Sequence, residues 1–101
     1  MLIRSQDKKE IHNLDRVSNI AVLPCFGNEN VFLIEVNRQH TIGRYSTEEK
    51  AIKVLDMIQE EYGKHLYGQG GAMATADYYV PPFAFIPPKV FQMPSDEEVE
   101  V

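Results

Sequence analysis

The chain has 101 residues, enough for one domain with one modest core. An apolar fraction of 44% and a charged fraction of 25% are ordinary globular values and exclude wholesale disorder. The net charge of −5 is unevenly spread: residues 1–67 hold nine Lys/Arg against ten Asp/Glu, whereas residues 68–101 hold only Lys89 against Asp77, Asp96, Glu97, Glu98 and Glu100, which is not the footprint of a nucleic-acid backbone binder.

Leu2 to Ser5 reads as a first strand, Gln6-Asp7-Lys8 as a turn, and Glu10 to Asn13 as the return strand of a hairpin. Asn13, Asp15, Ser18 and Asn19 then break the pattern. Ile20 to Leu23 is a compact apolar strand, and Pro24, which has no amide to donate, places it at a sheet edge or ends it. Phe26 to Asn30 supplies turn chemistry, with Gly27 able to take positive φ. Val31 to Val36 alternates clearly, with Phe32, Ile34 and Val36 on one face. Asn37-Arg38-Gln39 is a tight connection into a last strand, Gln39 to Tyr45. Links this short forbid crossovers, so neighbouring strands are expected to be antiparallel.

Ser46 to about Leu66 reads as a helix. Ser46 with Glu49 three residues on has the pattern of a capping box, and Glu48 and Glu49 suit the positive end of the helix dipole. Ala51, Leu55, Ile58 and Tyr62 form an apolar stripe that Val54 and Ile52 widen. Glu49–Lys53 and Glu60–Lys64 are correctly oriented pairs on the outer face. Either Gly63 or Gly68 can serve as the stop. The expected fold is α+β: an antiparallel β-meander of about five strands packed by one C-terminal amphipathic helix over residues 1–67. An extended Pro/aromatic arm and acidic tail over 68–101 belong to the same structural unit.

Gly68 to Gly71 breaks the helical pattern, and Tyr78 to Pro94 is rich in proline and aromatic residues, which favours extended geometry. Tyr78, Tyr79, Phe83, Phe85 and Phe91 are too apolar for an unattached tail. They either fold back as a flap on the sheet or contact a partner or a second copy of the chain. Ser95 to Val101 reads as a solvated acidic tail.

Chemical motifs are weak. His12, His40 and His65, with Cys25, lack the short paired spacing of a metal site, so no metal or cofactor is expected. Nothing in the sequence gives Cys25 a base or an oxyanion site, and packing is its better reading. One cysteine makes no internal disulfide, no apolar run reaches bilayer-spanning length, and the first ten residues are too charged for a signal peptide, so a cytoplasmic chain with no membrane partner is expected. Lys8, Lys9, Arg16, Arg38 and Arg44 read as scattered solvated charges rather than a patch.

Three stretches together, Leu2-Ile3-Arg4-Ser5-Gln6-Asp7-Lys8-Lys9 with Asn13-Leu14, Gly43 to Ile58, and Val90-Phe91-Gln92-Met93-Pro94, carry a resemblance. In them the chain resembles a group of uncharacterised small proteins of Gram-positive anaerobes and their prophages and mobile elements. The resemblance implies a cytoplasmic, phage-associated origin; it brings no activity with it and transfers no functional residue. The leading expectation is therefore a non-enzymatic interaction protein that binds a protein partner or self-associates through its arm. An alternative is a binder of a nucleotide signal, with Arg38 and Arg44 clamping phosphates. A third, resting on the acidic excess alone, is an inhibitor of a nucleic-acid enzyme.

Overall fold

The computed structural model of the protein describes residues 1–74 and 89–101, of which 65–74 are described by their backbone. Among the described residues there are six strands and one long helix: β1 (Leu2–Arg4), β2 (Ile11–Asn13), β3 (Ile20–Cys25), β4 (Asn28–Val36), β5 (His40–Tyr45), α1 (Glu48–Ala74) and β6 (Val90–Gln92). They form an α+β fold, but not one continuous meander. The strands divide into two three-stranded sheets, ordered β2-β1-β6 and β3-β4-β5.

The division falls at the polar stretch after β2. Asn13 caps a single-turn helix, Leu14–Arg16, by accepting the Asp15 amide at 3.0 Å, and this turn carries the chain from one sheet to the other. β6 then joins the first sheet parallel to β1, with Leu2 opposite Val90, Ile3 opposite Phe91 and Arg4 opposite Gln92. A parallel neighbour requires a crossover, and here residues 14–89 supply it. Phe91, expected in an arm that either folds back on the sheet or contacts a partner, is 9% exposed and belongs to the core.

The second sheet follows its sequence pattern closely. Ile34 and Val36 of β4 are fully buried, and Phe32 lies half-buried on the same face. The β3–β4 turn is tighter than expected, since Cys25 pairs with Asn28 across Phe26 and Gly27, and Gly27 takes φ of 83°. In the β4–β5 connection Asn37 and Arg38 both adopt positive φ, 53° and 54°, which matches the twist of a hairpin. A bulge places an extra residue, Ile42, between the partners of Ile34 and Glu35, so Ile42 and Gly43 are both buried.

One core joins the two sheets and the helix. Ile3, Ile34, Val36, Ile42, Tyr45, Ala51 and Val54 are each at most 1% exposed, and Met1, Ile58, Phe91, Met93 and Val99 complete the cluster. The helix seam is therefore Ala51, Val54 and Ile58, while Leu55 and Tyr62 are half-buried beside it and Ile52 points outward at 43% exposure.

Both ends of α1 differ from the sequence pattern. Thr47 is the cap, its hydroxyl accepting the Lys50 amide at 3.1 Å. Ser46 instead donates its amide and hydroxyl to Asp96 Oδ1, at 2.7 and 3.0 Å. At the other end the helix runs through Gly63 and Gly68 to Ala74. Nor is the C-terminal stretch a solvated tail. Asp96–Glu98 forms a single-turn helix with a capping box between Ser95 and Glu98, Lys50 reaches the Asp96 carbonyl at 2.9 Å, and Val99 is buried.

Candidate functional site

The sheet β3-β4-β5 has two edges, and the structure treats them differently. Gln6 closes the edge of β5. Its amide donates to the Ile42 carbonyl at 2.7 Å, its side-chain Oε1 accepts the Arg44 amide at 2.9 Å, and its Nε2 donates to the Arg44 carbonyl at 3.0 Å. A single glutamine thus occupies the place of a neighbouring strand. Gln6 Nε2 also reaches the Pro94 carbonyl at 3.2 Å, which ties this edge to the segment after β6.

The edge of β3 has no such partner among the described residues. Its polarity follows from one bond: the Asn37 amide donates to the Asn19 carbonyl at 2.9 Å. In an antiparallel pair, main-chain groups alternate between the two sides of the strand. Residues 19, 21 and 23 therefore turn toward β4, and Ile20, Val22 and Pro24 turn their main-chain groups outward. The missing donor of Pro24 is thus on the outer side, where it breaks no bond to β4, as an edge strand allows.

Beside the start of β3 lies a groove of about 410 Å³ between the Leu14–Arg16 turn, β3 and α1. Leu14, Val17, Ile20, Leu55, Ile58 and Tyr62 make its apolar lining, and Asp15, Asn19 and Gln59 its polar rim. One wall is fixed by the Tyr62 hydroxyl, which donates to Asp15 Oδ1 at 2.6 Å and holds the turn against the helix. That hydrogen bond to a carboxylate, with some burial, pushes the Tyr62 phenol above its ordinary range. Asp15 Oδ2 also lies 3.3 Å from the N-terminal amine of Met1. At the far end of β3 stands Phe26, which is 105% exposed at the tip of the β3–β4 hairpin.

Of the residues singled out from sequence, Tyr78, Tyr79, Phe83 and Phe85 lie outside the described residues. Arg38 and Arg44 are not brought together: Arg38 sits in the turn before β5 and Arg44 six positions on, roughly 20 Å of strand apart. Arg44 lines two smaller clefts on either side of β5, of about 260 and 300 Å³. Cys25 is half-buried at the bulge that ends β3, with its thiol 3.9 Å from the Phe26 carbonyl.

Two histidines that the sequence kept apart do meet. The rings of His12 and His40 have centroids 5.6 Å apart at a 44° tilt, and Glu10 Oε1 lies 3.2 Å from His12 Nε2. No group of three or more His, Cys, Asp or Glu among the described residues is placed to hold a metal. No helix among them is long and apolar enough to cross a membrane.

Sequence reasoning missed the groove because it forms between elements 40 residues apart. It also missed Phe26, which reads as turn chemistry until its exposure is known. Comparisons with protein-family models, with curated proteins and with solved structures give no match, so any functional reading of this chain rests on its own geometry.

Proposed function

We propose that this protein is a non-enzymatic interaction protein that holds an extended apolar polypeptide along the outer edge of β3. The observation that carries this reading is the apolar groove at the start of β3, a strand whose outer edge has no partner among the described residues. Such an edge offers main-chain donors at Ile20 and Val22 and acceptors at Ile20, Val22 and Pro24. Hydrogen bonds to these give affinity without regard to sequence, and the groove receives alternate side chains and gives selectivity. The sides of the groove come from the helix and the strand, rigid elements that need no ordering on binding.

Selection of random linear peptides on the immobilised protein tests this. Peptides with apolar residues at alternate positions are expected to be enriched, and their binding is expected to fall in Val17→Glu and Leu55→Glu variants that keep the wild-type circular dichroism. Enrichment of peptides indifferent to both substitutions would sink the reading. The nucleotide-clamp alternative is not favoured by any observation, since its two arginines stand at opposite ends of β5. Nor is the acidic-inhibitor reading, because Asp96 and Glu98 are engaged in intramolecular hydrogen bonds.

A further inference from the structure

We infer that the polypeptide taken by this edge is β3 of a second copy, paired antiparallel about a two-fold axis through Val22, with each Phe26 seated in the other copy's groove. The inference rests on the polypeptide-binding reading above and names its partner.

The first argument is reciprocity. A two-fold interface must be self-complementary: whatever one copy presents, the other must receive. The groove lies at the Ile20 end of β3 and the exposed Phe26 one residue beyond the Cys25 end. Antiparallel pairing superposes these opposite ends. Centred on Val22, it sets Ile20 against Pro24, Val22 against Val22 and Phe26 against Ser18, between the groove residues Val17 and Ile20 of the other copy. Every outward amide then finds an acceptor, Val22 bonding to Val22 and Ile20 to the Pro24 carbonyl, twice over by symmetry. Pro24 has no donor to leave unpaired.

Area and charge agree with this. Burying a phenylalanine removes about 150–250 Å² from water. Two insertions account for about 300–500 Å², and the groove walls they cover with the flanks of the strand pair must supply the rest of the roughly 1,000 Å² that a specific interface requires. The same pairing brings Glu29, exposed on the hairpin tip, toward Arg16, exposed on the turn that walls the other copy's groove. Neither side chain has a hydrogen bond or ion pair to another described residue. The result is a continuous six-stranded sheet in which the β3 edges are paired and the β5 edges remain closed by Gln6.

Sedimentation across a concentration series, combined with one introduced thiol, tests the inference. The full chain is expected to show a monomer–dimer equilibrium. Phe26→Ser is expected to weaken association about tenfold or more while leaving the thermal midpoint of the dilute monomer unchanged, because the ring, 105% exposed, packs against no other described residue. Arg16→Glu and Glu29→Arg are each expected to weaken the dimer, and the double variant to recover it. In this register position 19 faces Cys25 of the other copy as a non-hydrogen-bonded pair, with Cα atoms about 4.5 Å apart, within disulfide range. Asn19→Cys should therefore oxidise to a covalent dimer, and Asn19→Cys with Cys25→Ser should not. The wild type should stay unlinked, since its two thiols lie far apart in the pair.

A dimer that ignores Phe26→Ser, or one that gives no cross-link, would overturn this arrangement. So would a single monomeric mass at the highest attainable concentration. If that monomer still binds the selected apolar peptides through its groove, the self-pairing fails and the polypeptide reading stands. If it binds none, both fail.

Discussion

Gly43 stands where two side chains converge on one backbone position. A Cβ built there would lie 2.9 Å from Met93 Cε and 2.9 Å from Tyr45 Cε2. Met93 could yield, because the contact is the end of a flexible chain. Tyr45 could not do so easily: it is 1% exposed, and its hydroxyl donates to the Pro94 carbonyl at 2.7 Å. The phenol is also pushed up well beyond its usual range, by burial first and then by Asp96 and Glu98, so it remains a donor throughout the accessible pH range. Gly43→Ala is accordingly expected to destabilise the fold by about 1–3 kcal/mol, as overpacking of a filled core does. Urea denaturation with an unchanged slope would measure it. If Gly43→Ala costs as much in a Met93→Ala background as in the wild type, the loss belongs to the Tyr45 ring rather than to Met93.

At the scale of the elements, α1 shows how much propensity a packed helix can override. Gly63 lies in its interior, is exposed, and has nothing within 4 Å of the place a Cβ would take. Gly63→Ala should therefore stabilise the protein by about 0.5–1 kcal/mol through lower backbone entropy in the unfolded chain. A lower urea midpoint for the variant would show that residue 63 is not helical in solution. The elements legible in the sequence were those whose signal is local: the alternation of β4, the edge proline of β3, and the helix stripe at Ala51 and Ile58, although Val54 takes the seam position expected of Leu55 and Tyr62, which lie half-buried beside it. Those that were not legible depend on distant partners. Ser46 and Thr47 are both good caps, and what decides between them is Asp96, fifty positions away, which takes the Ser46 groups and leaves the Lys50 amide to Thr47. β6 has three residues after a proline pair, and only its pairing with β1 makes it a strand. The candidate site fared likewise. Pro24 announced the edge, but the groove required a turn and a helix to meet, and nothing local marked Phe26 as exposed.

At the scale of the whole molecule, two carboxylates, Asp96 and Glu61, fasten late segments of the chain to earlier ones, and two more, Asp7 and Glu98, hold local turns. Asp96 holds the start of α1 through the Ser46 amide and hydroxyl and lies 3.4 Å from the Lys50 ammonium, and these contacts, the Ser46 amide foremost, hold its carboxyl below the ordinary 3.8. Glu61 is held below its ordinary 4.5 chiefly by Lys89, which pins the entry to β6 against the helix. Asp7 is lowered by the Ser5 hydroxyl at 2.5 Å, and Glu98 by the Ser95 amide. Each of these groups has a lower pKa folded than unfolded, so the unfolded chain binds more protons in the acid range. Their stabilisation is complete above the unfolded values and is lost as pH falls through the folded ones. On the alkaline side Tyr62 and Lys64 are raised, by Asp15 and by Glu60, and their contribution persists below the ordinary values of 10.0 and 10.5 and fades above them. Stability should thus be flat from about pH 5 to about pH 9 and fall on both sides. Asp96→Asn keeps the shape of the clasp and removes its charge. It is expected to lower the urea midpoint at neutral pH, with the gap to wild type closing as pH drops toward about 3, because protonation removes from the wild type what the substitution has already removed. A gap that stays constant across that range would mean that Asp96 holds the helix by its shape and neutral hydrogen bonds, with no contribution from its charge.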